Sequence, residues 1–196
     1  MDKNLTNTNL IESRSQFSFK LEGENEVDAS LLAKTIGDIA ELAKLAANTE
    51  DPEAYIKMNV TAFKNGSFQI DFSAICEAAK TLFDKADKIA AFALSVVGVV
   101  KGIFEIKKFL KGKKPKAIKD ESTKIISVED DAGNKITVPR SSAIVINNVR
   151  ADQLTINIAS YMQEHNPNGG FTISTEQGDL RCEPEDVKQI SKAVAY

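Results

Sequence analysis

The sequence predicts an α+β fold: a β-α-β-β N-terminal unit, one long heptad-patterned helix, and a small α+β C-terminal module. Three observations carry this. Gln16 to Leu21 alternates polar and apolar residues at period 2, as a half-buried strand does. From Phe72 to Leu110 the apolar residues are spaced +3 and +4 without a slip. Beyond Lys124, short runs of β-branched residues flank turn residues. The 196 residues are 42% apolar and 27% charged, which suits one folded domain or two small ones. The predicted segments are a disordered arm over 1–14, the β-α-β-β unit over 15–72, the long helix over 73–112, a basic linker over 113–122 and the C-terminal module over 123–196.

In the N-terminal unit, Asp28 stands where a helix N-cap is expected, ahead of Leu31, Leu32, Ile36, Ile39, Ala40, Leu42 and Ala43 on one helical face. That helix runs to about Ala47, and Asp51-Pro52 closes it. Tyr55 to Phe63 and Phe68 to Phe72 read as strands. Asn65-Gly66 between them is the favoured pair of a type I′ hairpin turn.

The long helix is the most informative stretch. Its seam runs Phe72, Ile75, Ala79, Leu82, Ala86, Ile89, Ala93, Val96, Val100, Ile103, Lys107 and Leu110, apolar until Lys107. Continuous helix over these residues spans roughly 58 Å at about 1.5 Å per residue, too long for a domain of this size to cover alone. Self-association along the seam as a coiled coil follows, with Ile89, Ala93, Val96, Val100 and Ile103 as its core. Ile89–Val100 holds no charge, and Phe92, Leu94, Val97, Val99 and Phe104 add apolar bulk away from the seam. A helix apolar on every side is either membrane-inserted or wholly buried. Twelve residues are too few to span a bilayer, but Ile89 to Ile106 gives 18, with Lys101 and Glu105 placed at i and i+4 to pair or to line a pore. Gly112 and Pro115 stop the helix.

In the C-terminal module, Lys124–Val128 and Lys135–Val138 read as a hairpin about Asp130 to Asn134, and Ala143–Ile146 as a third strand. Arg150 to Gln163 is ambiguous between strand and helix. Phe171–Ser174 reads as a strand, and Glu183-Pro184-Glu185-Asp186 opens a last helix.

Net charge is −3, but it is unevenly placed. Residues 1–72 and 120–196 each balance to −5, whereas residues 101–119 carry eight lysines against Glu105 alone. Of these, Lys107, Lys108, Lys111, Lys113, Lys114 and Lys116 are the candidate anion- or DNA-binding residues, as cations that track phosphates or anchor a helix at an anionic lipid surface. Enzymatic readings are weak. The chain contains no phosphate-binding glycine motif and no nucleophile elbow. One His (His165) and two distant cysteines (Cys76 and Cys182) supply neither a triad nor a metal set, so no cofactor and no catalytic residue is expected. Glu129-Asp130-Asp131 reads as a polar hairpin tip. Met1–Ser18 is polar and lacks the apolar run of a secretory signal.

Two motifs carry a resemblance: Phe63-Lys64-Asn65-Gly66-Ser67-Phe68-Gln69-Ile70-Asp71, and Phe109-Leu110-Lys111-Gly112-Lys113-Lys114-Pro115-Lys116 at the end of the long helix. With their β-α-β-β and long-helix setting they span residues 15 to 116, and the layout resembles bacterial mobile-element and anti-phage defence membrane effectors of the Hailong channel type. The resemblance implies a channel domain and a second domain that binds a DNA signal.

The sequence-based expectation is thus a non-enzymatic homo-oligomeric effector of antiviral defence, an ion channel at the inner membrane with cytoplasmic domains, gated by an anionic ligand such as DNA. Its alternatives are a soluble cytoplasmic scaffold oligomer of a phage or mobile element, with the apolar stretch at the centre of a helical bundle, and a non-specific DNA-binding module.

Overall fold

A computed structural model describes residues 10–22, 27–52, 55–64, 68–79 and 86–193, with side chains described for 15–22, 27–52, 55–60, 69–73 and 95–193. Among them lie five helices and two antiparallel sheets, an α+β fold. In chain order these are β1 (Leu10–Leu21), α1 (Ala29–Glu50), β2 (Tyr55–Lys64), β3 (Phe68–Ala79), α2 (Ala86–Phe109), β4 (Ala117–Asp120), β5 (Ile125–Glu129), β6 (Lys135–Pro139), α3 (Arg140–Ile146), α4 (Val149–His165), β7 (Phe171–Thr175), β8 (Gly178–Cys182) and α5 (Pro184–Ser191).

The larger sheet has the order β2-β3-β1-β7-β8, every pair antiparallel. The alternation seen in the sequence puts Phe17, Phe19 and Leu21 of β1 on one buried face, with Ile70 and Phe72 of β3 and Phe171 and Ile173 of β7. Phe17 stacks on its cross-strand partner Phe72 at 4.9 Å between ring centroids, and Phe19 on Phe171 at 4.8 Å. Phe104 of α2 meets the Phe171 ring edge-on at 5.4 Å, so helix and sheet interlock through one aromatic trio. Helix α1 is capped as expected: Asp28 Oδ1 accepts from the N–H groups of Ser30 (2.9 Å) and Leu31 (3.0 Å). The smaller sheet, β4-β5-β6, closes a second apolar cluster of Ile126, Val128, Val138 and Ala143 against Ile106 and Leu110 at the end of α2.

Helix α2 is not the 73–112 rod. Phe72, Ile75 and Ala79 belong to β3, because β1 pairs with β3 residue by residue from Leu10↔Ala79 to Leu21↔Phe68 and satisfies its backbone as a strand. A partner distant in sequence thus outweighs the local +3/+4 pattern. Leu82 lies outside the described residues, as does the Asn65-Gly66 turn. The 24 residues of α2 make a helix of about 36 Å. β1 also reaches back to Leu10 and takes in residues 10–14 of the expected arm.

The apolar stretch on α2 has an internal explanation. Val96, Val97, Val99, Val100, Ile103, Phe104 and Ile106 are all buried, from the seam and from the faces beside it alike. Around them pack β1, β3, β6, α1, α3 and α5. From Val96 to Ile106 the helix carries apolar residues on several faces because this part of it runs through the centre of the protein. Among the described residues no helix is long and apolar enough to cross a membrane. The membrane, transmembrane-helix and ion-channel readings are therefore corrected, and with them the inner-membrane placement.

The C-terminal third does not stand on its own core either. β7 and β8 complete the larger sheet, and Leu154, Ile158, Val187 and Ile190 of α4 and α5 join the main cluster. Ala143–Ile146 is helix α3 and not a strand. The ambiguous 150–163 stretch is α4, capped by Asn148, whose Oδ1 accepts from Arg150 N–H (2.9 Å) and Ala151 N–H (3.4 Å). The last helix begins where expected, with Glu183 N–H donating to Asp186 Oδ2 at 2.9 Å.

Candidate ligand-binding cleft

Where α2 ends, three features shape one concavity. Lys107 is a member of the heptad spacing that buries Val100, Ile103 and Leu110, so its side chain is driven inward with theirs. Gly112 N–H donates to the Lys107 carbonyl (3.1 Å) and Lys111 N–H to the Lys108 carbonyl (3.1 Å), a Schellman closure with Lys111 at φ 51° and Gly112 at φ 73°. The chain then turns through Lys113 and Lys114 into β4. On the other side, α3 lies against α2 at Gly102, whose missing side chain leaves room for Ser142; Ser142 Oγ donates to the Val99 carbonyl at 3.2 Å.

The result is a cleft of about 250 Å³ between α2, the smaller sheet and the α3–α4 corner. Ile106, Leu110, Ile118, Val128, Ala143 and Ile146 form its aliphatic walls. Lys107 and Asp152 form its floor as an ion pair, their side chains only 4% and 2% exposed. Exposed Lys113 and Lys114, with Pro115 and Asn147, form its rim. The cleft thus joins an apolar body, a buried neutral pair and a cationic mouth.

The lysine block is dismantled as a continuous cationic surface. Lys101 pairs with Glu105 at 3.5 Å, as their i,i+4 spacing anticipates, on α2 and not in a pore. Lys107 is taken by Asp152. Lys108 pairs with Asp186 (3.3 Å) and donates to the Arg181 carbonyl (2.6 Å). Lys116 pairs with Glu129 (3.4 Å), and Lys113 reaches Asp131 at 4.0 Å with both side chains 72% exposed. Lys111 is exposed at the helix end. The structure therefore separates the six candidate lysines: Lys113 and Lys114 at the cleft mouth, Lys107 beneath it, Lys108, Lys111 and Lys116 elsewhere. Of the seam residues, Val96, Val100 and Ile103 lie in the chain's own core, where no second copy can reach them. Ile89 and Ala93 are on α2, with side chains outside those described.

Sequence reasoning missed two features. One is Asp152, the buried counter-ion of Lys107; a lysine on an otherwise apolar seam is the signal that such a carboxylate must exist. The second is a polar seam between α1 and α4. There Arg150 donates twice to Glu41, Nε to Oε1 at 2.7 Å and Nη2 to Oε2 at 2.6 Å, and holds its carboxyl below the usual range. Burial raises Asp38 above its usual range, against the opposing hydrogen bond from Asn157 Nδ2 (3.4 Å). Lys34 Nζ lies 5.7 Å from the Tyr161 ring centroid. Paired groups spread along two helices make this a helix–helix contact.

The remaining candidates are structural. Asp130 is a turn residue, accepting from Asn134 N–H (2.8 Å) and Nδ2 (2.9 Å), as a polar hairpin tip should. His165 ends α4. Cys182 is wholly buried, and burial pushes its thiol up to about 12. Cys76 lies on β3 and not on a helix.

No family model matches this chain, and no curated protein or solved structure matches it. The resemblance to channel effectors gains no support from these comparisons.

Proposed function

We propose that this protein is a non-enzymatic binding module that holds a small anionic ligand in the cleft at the end of α2. The observation that carries the reading is the cleft itself: aliphatic walls, a charge-neutral buried floor, and two exposed lysines at the mouth. The readings that need no membrane, a scaffold or an anion-binding module, are favoured because Val96, Val97, Val99, Val100, Ile103 and Phe104 of α2 are consumed inside the fold. Between them the cleft favours anion binding. Small anions suit it better than a duplex, because carboxylates from four separate stretches of chain hold Lys101, Lys107, Lys108, Lys113 and Lys116. Such pairs compete with phosphates and weaken the long-range field that gathers a polyanion.

The test compares wild type with Lys113→Glu/Lys114→Glu in thermal denaturation across a panel of small organic anions. The proposal expects at least one anion to raise wild-type Tm in a saturable manner and to leave the variant unmoved. Equal shifts in both proteins, or tight salt-sensitive binding of duplex DNA with none of the small anions, would displace it.

A further inference from the structure

The floor of the cleft carries chemistry that anion binding does not use. Among the described residues Lys107 is the one buried lysine, and both it and its ion-pair partner Asp152 line the cleft. The +3/+4 spacing that buries Ile103 and Leu110 carries Lys107 inward with them, and Asp152 meets it from α4. A primary amine beside a carboxylate, at the bottom of an aliphatic recess, is the arrangement in which a lysine adds to a carbonyl carbon. Exposed lysines, hydrated and almost wholly protonated at neutral pH, form the same adduct slowly.

Going beyond the anion reading and independently of it, we propose that Lys107 captures a small aliphatic aldehyde or ketone as an imine. Asp152 takes a proton from the Lys107 ammonium, and the freed Nζ lone pair attacks the carbonyl carbon. A proton passes from nitrogen to oxygen within the adduct, giving a carbinolamine. Asp152 then gives its proton to the hydroxyl, the C–O bond breaks and water leaves. The sum for an aldehyde is RCHO + Lys–NH3+ → RCH=NH+–Lys + H2O, with no oxidant, reductant or net proton required. The iminium keeps its positive charge opposite Asp152, so the pair stays neutral and no buried charge is left alone. Ile106, Leu110, Val128, Ala143 and Ile146 take the alkyl chain and keep water from the C=N bond. The described lining contains no aromatic ring for stacking, which favours aliphatic over aromatic carbonyls.

The test incubates the full chain with hexanal and sodium cyanoborohydride, which reduces an iminium to a stable secondary amine, and reads each lysine by peptide mass mapping. At pH 7 Lys107 should be labelled at least about tenfold faster than any exposed lysine, with a rate that saturates in hexanal. Between pH 6 and 8 the Lys107 rate should stay nearly flat, because the proton is passed within the pair, whereas exposed lysines should speed up about tenfold per pH unit. Lys107→Arg keeps a cation facing Asp152 but cannot form an imine, so the fast label should vanish while slow labelling elsewhere persists. The wild-type comparison between sites stands whether or not that variant folds. Lys113→Glu/Lys114→Glu should leave the Lys107 rate within about threefold, so the anion reading and this one fail separately. Lys107 labelled no faster than exposed lysines, labelled only in urea, or following their pH dependence would overturn the proposal.

Discussion

Breaking the Lys107–Asp152 pair is the sharpest perturbation the fold offers. The two side chains are 4% and 2% exposed, so neither charge can recover its hydration by a small movement. Lys107→Met takes the cation from a buried carboxylate, and Asp152→Leu takes the anion from a buried ammonium. Removing one member of such a pair costs roughly 3–5 kcal/mol, whereas replacing both with apolar groups is often neutral. For a chain of this length each kcal/mol moves Tm by roughly 2–4 °C. Each single variant should therefore melt about 6–20 °C below wild type, and Lys107→Met/Asp152→Leu should return to within about 1 kcal/mol. Urea denaturation followed by circular dichroism reads the four proteins of this cycle, with the slope m checked for constancy. Single variants that each lose less than about 1 kcal/mol would show that water reaches the floor of the cleft, and the reasoning from desolvation would be wrong.

Three further outcomes follow from particular contacts. Gly102→Ala, which on an isolated helix would add about 1 kcal/mol, should destabilise by roughly 1–3 kcal/mol by urea titration, because its Cβ collides with Ser142 Oγ and displaces α3; a gain in stability would place α3 elsewhere. Lys111→Gly should raise stability by about 1 kcal/mol, since Lys111 holds φ 51° at the helix end, and an unchanged Tm would deny that strained geometry. Cys182, its thiol raised to about 12 by burial, should resist alkylation at pH 8 in the native state and react on unfolding, as peptide mapping by mass spectrometry would read. Its contribution to stability is complete below the ordinary thiol value of 9.0 and is lost as pH rises toward 12, because the unfolded chain releases that proton first. Prompt native labelling would contradict both statements.

What the sequence made legible were the elements whose stabilisation is local. The Asp28 cap, the amphipathic face of α1, the Asp130–Asn134 turn and the Glu183-Pro184 helix start all rest on residues within a few positions of each other, and all are found. The failures have one cause, a distant partner that decides the outcome. Residues 73–79 carry a helical spacing, yet β1 claims them as a strand. Ala143–Ile146 carries a β-branched run, yet α2 and the smaller sheet take it as a helix beside Gly102. The all-round apolarity of α2 is the same in a bilayer and in a protein interior, and only the surrounding elements distinguish the two. The site was half legible. The lysine block located the mouth of the cleft, but its strength as a cationic patch depended on Asp131, Asp152 and Asp186, which arrive from elsewhere in the chain.

The most direct test of the anion cleft is a ¹⁵N–¹H correlation spectrum of the wild-type protein titrated with each anion of the panel. At least one anion should give saturable shifts confined to amides around Lys107–Leu110, Lys113, Lys114, Ile118, Val128, Ala143 and Asn147, absent in Lys113→Glu/Lys114→Glu. Shifts scattered over the larger sheet, or a spectrum unchanged by every anion of the panel at millimolar concentration, would contradict the anion cleft.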